Sequence, residues 1–338
     1  MTHRFTPSRR QFLTTAALGA GVAASGLLPT LARAETAEKP KDTRNTDKVR
    51  LTWGFHGLTL IAKERGEFEK ALKDKGIEVE WLGPFPNHAP TLQAVTGGSA
   101  DFGFGGSTTP ALAAILAGSP LVFSQFVLYE PRTTAIIAKD GSGIDKVEDL
   151  VGKSVAVNRS GLGEFLLVAA LEKHGVDRSK VNFVYLNPHD AAPALASGKV
   201  DAWSMWSPGV DIARQDYKAH DVFLEGRDLD FQIDYSSYVT HRNFAKNNSE
   251  IVRAVGKAYE DEAKWTNTNV SDAEHIVQKR AGYSDAIRDQ FIARKRNYTL
   301  YPASDAQFVA NLQKAADWLA VRKILPEHIT VSDHLAQL

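Results

Sequence analysis

The chain has 338 residues, with 40 basic and 40 acidic side chains and no cysteine. Without cysteine it offers no disulfide, thiol nucleophile, cysteine-ligated zinc or iron–sulfur cluster. Without a basic surplus it has no footprint for a nucleic-acid backbone, and its scattered histidines show no zinc-type spacing.

Residues 1–34 read as an export signal. Arg4, Arg9 and Arg10 precede a run of small and apolar residues from Phe12 to Leu31, and Ala32-Arg33-Ala34 supplies the small-x-small pattern of a signal-peptidase site. The run is too short and too rich in glycine and alanine for a membrane span. Ser8-Arg9-Arg10-Gln11-Phe12-Leu13 marks a twin-arginine signal, so the expected destination is the periplasm, with cleavage after Ala34. Removing that segment takes four arginines from the balance of 40 and 40 and leaves a net charge of −4. Residues 35–47 are polar and lack apolar periodicity, and read as a flexible leader.

From Lys48 onward short β-rich runs alternate with helical patterns. Strands are expected at Val49–Trp53, Glu78–Leu82, Phe102–Phe104 and Leu121–Leu128, with helices at Leu60–Lys73, Ala89–Thr96 and Pro110–Ala117, the last capped by Thr109. After a crossover strand at Thr134–Lys139 the cycle restarts. Strands at Ser154–Val157, Val181–Tyr185 and Asp201–Met205 alternate with helices at Gly163–His174, Ala191–Ser197 and Pro208–Gln215. Beyond a return strand at Tyr235–Thr240 the pattern is helical, over Glu250–Asn267, Ser271–Ala281, Asp285–Arg294 and Asp305–Lys323. This alternation predicts an α/β fold with mainly parallel sheets.

The restart is a degenerate internal repeat. Gly98-Ser99-Ala100-Asp101 and Gly198-Lys199-Val200-Asp201 share Gly-x-x-Asp, each after a short helix and before a strand. Ser107 and Ser207 stand at the same offset from the two aspartates, and Gly57-Leu58 and Gly161-Leu162 follow the first strand of each unit. The expectation is two similar lobes: residues 48–135 with the return segment 239–338 and its C-terminal helices, and residues 136–238. Loops beyond the carboxyl ends of the strands, at 54–59, 105–110, 158–163 and 205–208, would face one another across a cleft.

Two of those loops lead into helix starts, where unpaired N–H groups and the positive end of the dipole favour an anion. They carry Ser107, Thr108 and Thr109 in one lobe, and Arg159, Ser160, Gly161 and Leu162 in the other. The same hydroxyls serve equally as helix caps. Arg132 would either clamp an oxyanion or sit solvated at the hinge. Phe55, His56, Gly57, Trp206, Ser207 and Tyr235 complete the candidate site, the aromatics suiting an apolar ligand tail. His56 reads as a hydrogen-bond donor or a packed side chain rather than a metal ligand, and no metal or other cofactor is expected.

The chain resembles periplasmic binding proteins of the aliphatic-sulfonate, taurine and nitrate group. The resemblance spans nearly all of Lys48–Leu325 and rests on the motifs above, on Leu150-Val151-Gly152-Lys153-Ser154-Val155-Ala156-Val157, and on Asp201-Ala202-Trp203 followed by Trp206-Ser207-Pro208. It implies the two-lobed type II binding-protein fold, a ligand held between the lobes, no catalysis, and a monomer that delivers to an ABC permease and its ATPase. This group often has an acid or amide near Thr108 and an aspartate near Ser207. Hydroxyls stand in both places here, which disfavours a zwitterion such as taurine. An alkyl- or arylsulfonate or a sulfate ester is the expected ligand, with nitrate or another small anion, or a neutral pyrimidine-type heterocycle, as alternatives. The fold also hosts pyrimidine-forming enzymes, but those resemble a cysteine-bearing pattern absent from this chain.

Overall fold

Alternating burial seeds the first sheet: in β1 (Lys48–Gly54), Val49 and Leu51 are fully buried, and the strand pairs in parallel with β2 (Glu78–Phe85) and β3 (Phe102–Ser107). The computed structural model describes residues 42–55, 57–232 and 234–338, so the export signal, its cleavage point, most of the leader and His56 lie outside the described residues. From β4 (Leu121–Glu130) the chain passes to β5 (Ala135–Lys139) of a second sheet, which β6 (Ser154–Val157), β7 (Asn182–Tyr185), β8 (Ala202–Met205) and β9 (Ala219–Leu224) complete. Residues 225–235 lead back, and β10 (Ser236–His241) and β11 (Asn297–Pro302) finish the first sheet.

The strand orders are β11-β4-β10-β3-β1-β2 and β7-β6-β8-β5-β9. Read from the other end, the first is β2-β1-β3-β10-β4 plus an edge strand, which matches the second position by position. Both sheets are parallel among their first three strands and antiparallel thereafter. This corrects the expectation of mainly parallel sheets, because the strands adjoining each crossing enter from the opposite direction.

The repeat has a local cause. Gly98 and Gly198 take the left-handed conformation that a side chain disfavours (φ 75° and 74°) and turn the chain out of a helix. Asp101 then accepts the Arg50 N–H, and Asp201 the Ser154 N–H, each at 2.7 Å, while their own N–H groups donate to the Arg50 and Ser154 carbonyls at 2.8 Å. Each aspartate thus sets its strand beside the first strand of its repeat.

Helices α1 (Leu58–Arg65), α2 (Glu67–Lys73), α3 (His88–Thr96) and α4 (Thr108–Leu116) belong to the first repeat, and α5 (Leu162–Lys173), α6 (Pro188–Ala196) and α7 (Gly209–Asp216) to the second. The single helix expected over Leu60–Lys73 is two, divided by Gly66 at φ 74°. A short α8 (Glu225–Asp228) lies on the return crossing, and α9 (Arg242–Asn247), α10 (Ser249–Thr268), α11 (Val270–Ala281), α12 (Asp285–Arg294) and α13 (Ala306–Val321) follow. β9 and β11 were not expected. Only the end of β9 is apolar, and β11 is an edge strand closing on Pro302, where no ladder donor is needed. Its Tyr298-Thr299-Leu300-Tyr301 alternation was nonetheless a readable signal.

α5 packs so closely on β8 that a Cβ on Gly163 would lie 2.3 Å from the Ser204 carbonyl oxygen, whereas one on Gly256 in α10 would meet nothing nearer than 3.7 Å. Gly163→Ala is expected to destabilise by about 1–3 kcal/mol through overpacking, and Gly256→Ala to stabilise by up to about 1 kcal/mol through helix propensity. Urea unfolding of both measures this; equal effects would refute the tight seating of α5.

Candidate ligand-binding site

A cavity of about 370 Å³ lies where the two sheets face one another. The first repeat lines it with Gly105, Gly106 and Ser107, the second with Asn158, Arg159, Ser160, Gly161 and Leu162, and the return crossing with Glu225, Asp234 and Tyr235. Such a volume fits a ligand of a dozen or more heavy atoms rather than a bare inorganic anion.

The start of α4 already holds an anion, and it is the protein's own. β3 runs into α4 without a loop, so the first N–H groups of the helix are buried and need acceptors. Asp234 Oδ1 accepts from Thr108 Oγ1 at 2.9 Å, Thr109 N at 3.0 Å and Thr109 Oγ1 at 2.9 Å, and the Tyr235 carbonyl accepts from Thr108 N at 2.7 Å. Thr108 and Thr109 are fully buried. Their hydroxyls serve this internal carboxylate, which corrects their assignment to the ligand. Ser107, not Thr109, is the N-cap residue. Burial raises the Asp234 carboxyl, and the surrounding Ser107, Thr109 and Thr108 groups oppose that rise. The Ser107 hydroxyl lies near Asp234 but, among the described residues, has no partner in hydrogen-bonding geometry. With His88 Nε2, it is one of two buried polar atoms left over on this wall among the described residues.

The start of α5 is arranged differently. Ser160, in the left-handed region at φ 51°, gives its N–H to Glu164 Oε2 at 2.7 Å, and Glu164 is further held by Arg178 at 3.0 Å and the Tyr185 hydroxyl at 2.8 Å. The glycines here answer to the protein rather than to a close ligand. A Cβ on Gly161 would strike the Asn158 side chain at 1.6 Å, and Gly163 meets β8. Asn158 Oδ1 is buried without a partner among the described residues. Arg159 lies over the Tyr185 ring at 3.8 Å and has no acidic partner among the described residues.

At the crossings, Arg132 donates to the Phe231 carbonyl at 3.0 Å and the Leu229 carbonyl at 3.2 Å, so its main work is tying one crossing to the other. It still lines the cavity, 3.7 Å from the buried Glu225. Burial pushes the Glu225 carboxyl up to about 7, with Arg132 and Thr134 opposing and Asp234 adding to the rise. Ser207 donates to Asp211 at 2.5 Å, and Arg294 reaches the same aspartate at 2.8 Å from α12. Gly57, Trp206 and Tyr235 line the cavity, while Phe55 does not. Phe55 is 38% exposed and meets His189 edge-on at 6.4 Å. Sequence reasoning missed Asn158, Glu225, Asp234 and Arg294 as lining residues. Asn158 alone carried a signal, since it opens a loop already singled out.

The family model described as NMT1/THI5 like matches residues 54–273, well over half of the chain. The chain belongs to the NMT1/THI5-like family. Within reach of it is a protein of Escherichia coli (strain K12) described as an aliphatic sulfonates-binding protein, 26% identical over 316 residues, 94% of this chain and 95% of that one. The taurine-binding periplasmic protein of the same organism is 29% identical over 62% of this chain and 64% of its own length. Among solved structures, the alkanesulfonate-binding protein SsuA from Xanthomonas axonopodis pv. citri, bound to MOPS, superposes with a TM-score of 0.78 at 23% identity, covering 86% of this chain and 99% of that one. The desulfurization enzyme DszB shares the architecture with a TM-score of 0.59 at 18% identity, covering 86% of this chain and 96% of that one. This member of the NMT1/THI5-like family therefore has the two-lobed periplasmic binding-protein fold with its cleft between the lobes, a fold that also serves an enzyme.

The Glu225 shift sets a pH dependence. An unfolded glutamate titrates near 4.3, and the folded one at about 7, so the folded state holds the proton more tightly. The stability contributed by neutral Glu225 is complete below the lower value and lost as pH rises through the upper one. Glu225→Gln stays neutral, so it is expected to gain on the wild type between pH 5 and pH 8, by on the order of 3 kcal/mol at most. Urea unfolding at both pH values checks this; a constant difference between the two proteins would count against the raised carboxyl.

Proposed function

We propose that the chain is an exported solute-binding protein that captures a small organic sulfonate or sulfate ester and hands it to an ABC permease and its ATPase at the inner membrane. The observation that carries this reading is the α5 wall of the cavity. Arg159, which has no acidic partner among the described residues, the Asn158 side chain, whose NH2 can donate, and the start of a twelve-residue helix meet there, facing the Ser107 hydroxyl, which is unpartnered among the described residues. Each charge-assisted hydrogen bond contributes about 1.5–3 kcal/mol net, and micromolar affinity needs roughly 8 kcal/mol, so four or five such donors suffice without a metal. Tyr185, Trp206 and Tyr235 supply apolar surface for a tail.

Binding rather than catalysis is favoured because relatives matched along most of the chain are described as binding proteins, and because the chain has no thiol to act as a nucleophile. The relative described as a taurine-binding periplasmic protein supports the periplasm as the working compartment, reached through the Arg9-Arg10 signal.

Alkyl- and arylsulfonates are expected to raise the melting temperature, with about 2.7 kcal/mol of added stability at a hundredfold excess over Kd, while neutral isosteres do not. Ser107→Ala and Asn158→Ala should each weaken calorimetric affinity about ten- to a hundredfold with little change in unliganded stability. A stabilising neutral heterocycle and inert sulfonates would overturn the assignment. For export, replacing Arg9 and Arg10 together by Lys should retain the precursor in the cytoplasm; normal release of the mature chain after cell fractionation would reject the twin-arginine route.

A further inference from the structure

Ion pairing cancels most of the charge around the cavity, and what remains is lopsided. Arg294 lies 2.8 Å from Asp211, Arg296 3.5 Å from Glu274 and Arg132 3.7 Å from Glu225. Two lining charges are left over, Arg159 beside α5 and Asp234 at α4. Next to Asp234 stands Glu225, only 4% exposed and yet part of the cavity wall. Its partner Arg132 is beyond hydrogen-bond reach and spends its N–H groups on the Leu229 and Phe231 carbonyls. Among the described residues the Thr134 hydroxyl lies beside the Glu225 carboxyl and opposes the rise of its pKa, but falls short of hydrogen-bonding geometry. A buried carboxyl in a cavity wall without a donor is costly unless something else supplies one.

We propose that Glu225, with Asp234 beside it, forms a second polar subsite that takes a protonated amine on the ligand. The preferred ligand is then dipolar, with its sulfonate against Arg159 and the start of α5 and its ammonium against Glu225. This rests on the sulfonate reading and reverses the expectation that a zwitterion is disfavoured, because the acids come from the return crossing rather than from the positions near Thr108 and Ser207. The charged and titratable groups facing Glu225 are Arg132, Asp234 and Tyr129. With its carboxyl pushed up to about 7, a fraction of Glu225 is protonated near neutrality, and a bound ammonium favours the ionised form. Binding of the amine therefore releases protons.

Two matched pairs test this on the intact mature protein: 4-methylbenzenesulfonate against 4-(aminomethyl)benzenesulfonate, and propanesulfonate against 3-aminopropanesulfonate. The aminated member of at least one pair is expected to bind wild type about tenfold more tightly, with proton release at pH 7 seen by calorimetry in buffers of different ionisation enthalpy. Glu225→Gln should abolish that preference and the proton release, so that the two members of each pair bind alike, and Glu225→Asp should keep part of both. Equal binding of both members in wild type overturns the subsite, as does an equal loss for both members in Glu225→Gln. Failure of every plain and aminated sulfonate to bind overturns the sulfonate reading instead, a result distinct from equal binding.

Discussion

The architecture turns on one buried carboxylate. A strand that becomes a helix without a loop leaves N–H groups in a dry place with nowhere to bond, and Asp234 meets that demand at the start of α4. The helix start in turn offsets the cost of burying a charge. Because Asp234 sits on the return crossing, the bargain is long-range. It pins the crossing to the first sheet, positions Tyr235 and β10, and aligns the wall from which Glu225 faces the cavity.

The same chemistry explains why helix starts rich in serine and threonine are ambiguous. Hydroxyls and N–H groups that can cradle a ligand anion can equally cradle a carboxylate of the chain itself. At α4 the internal anion occupies the threonines and leaves only Ser107. At α5 Glu164 takes a single N–H, that of Ser160, and Asn158 and Arg159 remain. The two repeats therefore diverged in charge, though they kept the same strand order.

What the sequence revealed follows from how local each cause is. The Gly-x-x-Asp motif, the strand alternation and the helix patterns act over a few residues, so the two-lobed fold was legible, and the loops the sequence singled out bring Ser107, Arg159 and Trp206 to the cavity wall. Thr108 and Thr109 were misjudged because their acceptor lies far along the chain. Glu225 was invisible for a similar reason: in sequence it stands in an ordinary charged stretch, Glu225-Gly226-Arg227-Asp228. Only the fold buries it beside Arg132. The glycines at 161 and 163 make room for Asn158 and β8, neighbours that the local sequence does not announce.

The exchange of strands between the sheets also orders their completion as the chain is made. All five strands of the second sheet lie within the continuous stretch from Ala135 to Leu224. The first sheet begins earlier but needs β10, and then β11 at residues Asn297–Pro302, before it is whole. On a ribosome, the lobe that starts second is therefore the lobe that can finish first. The opening strands must wait with a gap beside β3, where β10 will pair, until about seven-tenths of the polypeptide has been synthesised, and the edge strand β11 joins only at nearly nine-tenths.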